Sequence, residues 1–90
     1  MRSLLIDAAE RAARYLEMLD DRPVFPHQEA IDALSRLDHA LPDAPTDPAA
    51  VLALMDEVAS PATTAMAGRR YFGFVIGGSL PASVAANMLS

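Results

Sequence analysis

Few side chains in this sequence can do chemistry, and their spacing narrows what that chemistry is. The basic residues are all arginine (2, 11, 14, 22, 36, 69 and 70), and lysine and cysteine are absent. A Schiff-base or P-loop lysine, a thiol nucleophile, a disulfide and a zinc–thiolate site are therefore excluded from this chain. His27 and His39 lie far apart, without the close-set donors that a metal site requires, so both read as surface or capping residues. Glu29, Asp32 and Asp38 could pair for acid–base work, but on an acidic helix they read as a solvated face. No catalytic residue and no metal ligand is assigned.

The remaining chemical feature is a run from Arg69 to Pro81 that holds Tyr71, Phe72, Phe74, Gly73, Gly77 and Gly78. Its glycines do not have the dinucleotide-binding spacing. Gly73 and Gly77 match a small-residue helix-pairing motif only outside its usual long apolar helix. A Gly-Gly pair before a helix can offer backbone N–H groups to an anion, but more often it is a turn. An aromatic and aliphatic run of this kind is costly to leave in water. It is expected to be extended over 69–75 and buried, against this chain or against a partner.

The elements that would position these residues are short helices. Leu5, Ala9, Ala12, Leu16 and Leu19 recur at helical spacing, which predicts a helix over 3–20 with that stripe inward. Asp7–Arg11 and Glu10–Arg14 would pair on its outer face, and the alanines at 8–9 and 12–13 allow a close neighbour helix. The proline-bounded segment 20–26 follows, with Val24 and Phe25 expected to dock in a groove. A second helix is expected over 28–40, with Ile31, Leu34 and Leu37 inward and Leu41 closing the stripe. Asp47 and Pro48 mark the start of a third helix, whose inward residues include Val51, Leu52, Met55 and Val58. Ser60-Pro61 signals a short helix over 61–67 with Gly68 as its C-terminal cap. Gly77-Gly78 should turn the chain. Ser79 or Leu80 then caps a last helix, with Val84, Ala85, Met88 and Leu89 as its apolar side. That helix has no stop signal before Ser90, so the chain reads as cut.

The expected fold class is thus mainly α: about four to five short helices with one extended aromatic–glycine segment, arm-like and not a complete domain. Residues 1–67 would form a helical arm, and 68–90 an extended segment with the start of a truncated helix. A formal charge of −5 with scattered arginines argues against nucleic-acid binding. Residues 71–90 carry no charge and so superficially resemble a membrane span, but Gly77-Gly78, Ser79, Pro81, Ser83 and Asn87 break that reading. The N-terminal residues lack the apolar core of a signal peptide, since Asp7, Glu10, Arg11 and Arg14 interrupt it. With no cysteine, the chain suits a reducing, cytoplasmic compartment.

Tyr71-Phe72-Gly73-Phe74-Val75-Ile76-Gly77-Gly78-Ser79-Leu80-Pro81, followed by Ala85-Ala86-Asn87-Met88-Leu89, resembles the N-terminal part of the pyridoxal-phosphate-dependent group II amino-acid decarboxylases. Arg22-Pro23-Val24-Phe25-Pro26 is similar to that family's short proline-bounded segment, and Leu41-Pro42, Val51-Leu52 and Ser60-Pro61 fall in the expected order. The resemblance implies a dimer-clasping arm that packs on a partner subunit. It also implies substrate-pocket contacts from Phe74 and Val75, with Gly77, Gly78 and Ser79 at the pocket edge. The pocket would be smaller and more apolar than that of the aromatic-specific members, permitting an aliphatic amino acid. The cofactor of such an enzyme is pyridoxal 5'-phosphate, carried by a lysine that this chain lacks. The fragment alone is then inactive, and its partner is a second subunit or a separate catalytic domain. The alternative expectation is a free-standing small helical protein-interaction module.

Overall fold

A computed structural model describes residues 1–74 and 78–90. The chain is mainly helical, and no strand occurs among the described residues. Helix α1 spans Arg2–Glu17. Helix α2 spans Gln28–Ala33 and tightens into a 3-10 turn over Leu34–Leu37. Helix α3 spans Pro48–Leu54, widens into a π turn over Met55–Ala59, and ends in a 3-10 turn over Ser60–Ala62. Helix α4 spans Pro81–Leu89. The mainly α class with short helices and one aromatic–glycine connection is the expected one.

Helix α1 forms because its sequence is rich in alanine, leucine and arginine, all strong helix formers. Its packing face differs from the expected stripe. Leu19 is buried, and Ala9 and Leu16 are half-buried, but Leu5 is 61% exposed and Ala12 is open to solvent. The side turned inward carries Leu4, Ala8, Arg11, Tyr15 and Leu19, also at three- and four-residue spacing. The rotation has a polar cause. Arg11 Nη1 donates to Asp56 Oδ2 at 2.7 Å, joining α1 to the π turn, so Arg11 is not part of a purely solvated face.

The second helix is shorter than the expected 28–40. Asp38 N donates to the Ser35 carbonyl, and Asp38 then leaves helical geometry at φ −89, ψ 82. Leu41 is 91% exposed and does not close the stripe. Helix α3 starts where expected, with Asp47 Oδ1 accepting from Ala49 N at 3.4 Å and Pro48 in the first turn. The π turn brings Val58 to 1% exposure, where it forms the core with Leu19 and Ala65.

The short helix expected over 61–67 does not form, and the reason is a competition for one carbonyl. Ser60 O accepts from Thr63 N at 3.1 Å and Thr63 Oγ1 at 2.7 Å, and also from the Arg22 guanidinium. That leaves the oxygen saturated. Thr63 turns extended, at φ −97, ψ 155. Ala65 N then bonds to the Val24 carbonyl at 2.8 Å. Gly68 is no left-handed cap, since no glycine among the described residues has positive φ. Its role is close approach: a Cβ there would sit 3.3 Å from Ala65 O and 3.7 Å from Leu19 O.

Arg69 pairs with Asp20 at 3.3 Å, and Arg70 Nη2 donates to the Arg22 carbonyl. These arginines fix the root of the aromatic segment beside the proline-bounded one. Beyond that root this chain does not cover the aromatic segment, with Phe72 90% and Phe74 81% exposed. Phe25 is exposed as well, although Val24 is half-buried as a docked residue should be. Helix α4 follows Leu80, whose side chain makes no capping bond, and Ser83 Oγ donates to the Leu80 carbonyl at 2.9 Å. Of its expected apolar side only Val84 is half-buried, while Ala85, Met88 and Leu89 are open.

Candidate functional site

Of the five residues expected to line a substrate pocket, three are described. Phe74, Gly78 and Ser79 are all exposed. Val75 and Gly77 lie outside the described residues, as does the first half of the expected Gly77-Gly78 turn. Tyr71 is half-buried and its phenol lies over Gly73, where a Cβ would overlap the ring. Only glycine lets the aromatic fold back so closely without displacing it.

The structure instead gathers its polar chemistry elsewhere, in a cleft of about 490 Å³ between α1, the proline-bounded segment, α2 and the end of α3. From α1 come Arg11, Arg14 and Tyr15, with Met18 just past its end; from the segment, Asp21, Arg22 and Pro23; His27 precedes α2, and the rest of the wall is Ala30, Asp56, Ser60 and Pro61. A volume of a few hundred Å³ is that of small-molecule sites.

Arg22 is the hub of this cleft. Its guanidinium carbon lies 4.9 Å from the centre of the Tyr15 ring, within cation–π range. Nη1 donates to Ser60 Oγ at 3.2 Å, and Nη2 to the Ser60 carbonyl and to Thr63 Oγ1 at 3.4 Å. One planar fork thus ties α1, the proline-bounded segment and the end of α3 together, a task that the point charge of a lysine performs poorly.

Arg11 is similarly committed. It bridges Asp56 and Asp7, the latter through Nε at 3.1 Å, and these bonds, to Asp56 first, hold its guanidinium above the ordinary arginine value. Arg14 is the loosest of the three. Its nearest carboxylate oxygen, on Asp56, is 3.8 Å away, beyond hydrogen-bonding distance, and its side chain is half exposed. Among the described residues no group of three or more His, Cys, Asp or Glu could hold a metal ion.

A search for apolar stripes alone misses this cleft. Its signal is nevertheless present, because Arg11 and Tyr15 sit four residues apart on the face that also carries Leu4, Ala8 and Leu19. A basic and an aromatic residue on a buried face ask for partners across the interface.

No lysine exists in this chain to carry pyridoxal phosphate, His39 is exposed with Nδ1 beside its own neighbour's carbonyl, and His27 is an exposed residue at the cleft. No helix among the described residues is long and apolar enough to cross a membrane. Comparisons with protein families, with curated proteins and with solved structures found no match for this chain.

Proposed function

We propose that this chain is a docking arm: the N-terminal, dimer-clasping and pocket-lining part of a pyridoxal-phosphate-dependent amino-acid decarboxylase, inactive alone. The observation that carries the reading is surface. The chain exposes 7194 Å². A compact protein of its mass exposes about 5,100 Å². The excess of roughly 2,000 Å² is more than the ~800 Å² that each partner buries in a standard-size interface, and matches one side of a large obligate interface.

The excess is apolar where it counts. Phe72 and Phe74 project at 90% and 81% exposure, and α4 adds Met88 and Leu89. On α1 the sector with Leu5, Ile6, Ala12 and Ala13 is open. Ala12 and Ala13 let another helix approach closely, and Leu5 and Ile6, about two turns earlier, give that helix a hold. Large exposed apolar areas on a soluble chain mark interaction sites. The cofactor, its lysine and the chemical step would belong to the catalytic domain, and the amino-acid substrate would meet this chain only at the 74–79 segment. A cytoplasmic location accompanies this reading.

A second reading, a free-standing helical interaction module, draws on the Arg22 latch. A chain that ties its own proline-bounded segment down has some fold of its own. Coding DNA read past the Ser90 codon separates the two. An open frame leading to a lysine-bearing domain, whose product shows cofactor absorbance and releases carbon dioxide from an amino acid, supports the arm. An immediate stop codon, with a monodisperse monomeric product, overturns it.

A further inference from the structure

The cleft at Arg22 is distinct from the exposed surfaces of the docking reading and carries an inference of its own. Its polar groups other than Asp21, an exposed carboxylate at the rim beside Arg22, divide into two sets. Arg11, Arg22, Asp56 and Ser60 bond to one another across the chain. The Arg14 guanidinium, the Tyr15 hydroxyl and the His27 ring, which also line the cleft, make no hydrogen bond among the described residues. All three can donate, and arginine always carries its charge. Met18, Pro23 and Pro61 supply apolar wall beside them.

Asp56 does not satisfy Arg14. Arg11 and Arg14 address the same oxygen, Asp56 Oδ2, Arg11 at 2.7 Å and Arg14 at 3.8 Å, so Arg14 is ion-paired but keeps its N–H donors unused. A guanidinium with unused donors, two further donors lining the same cleft and an apolar wall, in a volume of about 490 Å³, are complementary to one kind of ligand.

We propose that this cleft binds a small amphipathic carboxylate. The anion would sit on Arg14, with Tyr15 and His27 as further donors, and the apolar body would lie against Met18, Pro23 and Pro61. The face of α1 that bears Arg14 and Tyr15 is a different sector from the one that bears Leu5 and Ala12, so occupancy does not depend on whether the arm is docked.

The test is a nitrogen-15 NMR titration of the whole chain with 4-phenylbutyrate, run beside its neutral analogue 4-phenylbutyramide. Saturating shifts are expected at Arg14, Tyr15, Met18 and His27. The amide should bind about ten-fold more weakly, the loss that follows from removing a charge-assisted bond. Arg14→Gln should lower affinity for the acid to that of the amide while the helical circular dichroism stays unchanged. His27→Gln provides a second, milder loss should the first variant unfold. Equal affinity for acid and amide, no effect of either folded variant, or shifts centred on Phe72 and Phe74 would each overturn the proposal. None of these outcomes bears on the reading frame beyond Ser90, so failure here and failure of the docking reading are separable.

Discussion

At the residue scale, stability rests on a few side chains, and the effects of replacing them should be correspondingly concentrated. Val58 is the most buried residue among the described ones, at 1% exposure. Val58→Ala removes two methyl carbons from a core with few neighbours to refill it, so chemical denaturation should show a loss of about 1.5–3 kcal/mol. Arg22→Ala breaks the bonds to Ser60 and Thr63 and the contact with Tyr15. The group is only half-buried, so solvent replaces part of what is lost, and a cost of about 1–2 kcal/mol is expected. Arg22→Lys should recover little of it, because the bonds depend on the planar fork. For Arg11 the sign of the pH effect is fixed by its raised value, caused first by Asp56 and then by Asp7. Stability linked to a raised pKa is complete below the unfolded value and fades only as pH climbs through the folded one, beyond working conditions. The destabilisation by Arg11→Gln should therefore be equal in neutral and mildly alkaline buffer, as paired denaturation curves would show.

At the element scale, the helix starts are the simplest part to test. Asp47 accepts from Ala49 N at 3.4 Å in an exposed position, so Asp47→Ala should cost about 0.5–1 kcal/mol, read from thermal or denaturant melting. This start was legible in the sequence because Asp-Pro ahead of an apolar run is a local signal. Helix α1 and the mainly helical class were legible for the same reason. What was not legible depended on residues distant in sequence. Pro61 and Gly68 look like local punctuation for a helix over 61–67, yet Arg22 and Thr63 take the Ser60 carbonyl, and Ala65 N turns to Val24. The inward face of α1 was misjudged because Arg11 and Tyr15 count as polar in any apolar stripe, while their partners, Asp56 and Arg22, lie on other segments. The cleft went unseen for that reason. The 74–79 segment was singled out by its aromatic and glycine residues, which identify an unusual segment without saying what covers it.

At the scale of the whole molecule, the radius of gyration is 15.0 Å. A compact chain of this length has a radius of about 12 Å. The difference matches the excess surface and follows from a small core beneath long open faces. Substitutions on those faces should separate folding from association. Phe72→Ser with Phe74→Ser should leave the unfolding midpoint nearly unchanged, because both side chains are already in water. Sedimentation of the isolated chain should become more nearly monomeric, and Ala12→Glu on α1 should act in the same direction. A large loss of stability in the monomeric double Phe variant would mean that those rings are covered by the chain's own fold, against the docking reading.

The latch at Arg22 also has a consequence in time. The bonds that close the molecule join residues 38, 41 and 48 positions apart, and the Arg11–Asp56 pair spans 45. Helical turns form in well under a millisecond, whereas contacts of this separation must wait for the intervening chain to close. The latch should then be weakly formed when the chain crosses its folding barrier. Stopped-flow measurements on Arg22→Ala should show a faster unfolding limb and a nearly unaltered folding limb. A ribosome would release helix α1 and the proline-bounded segment well before Ser60 and Arg70 emerge to hold them.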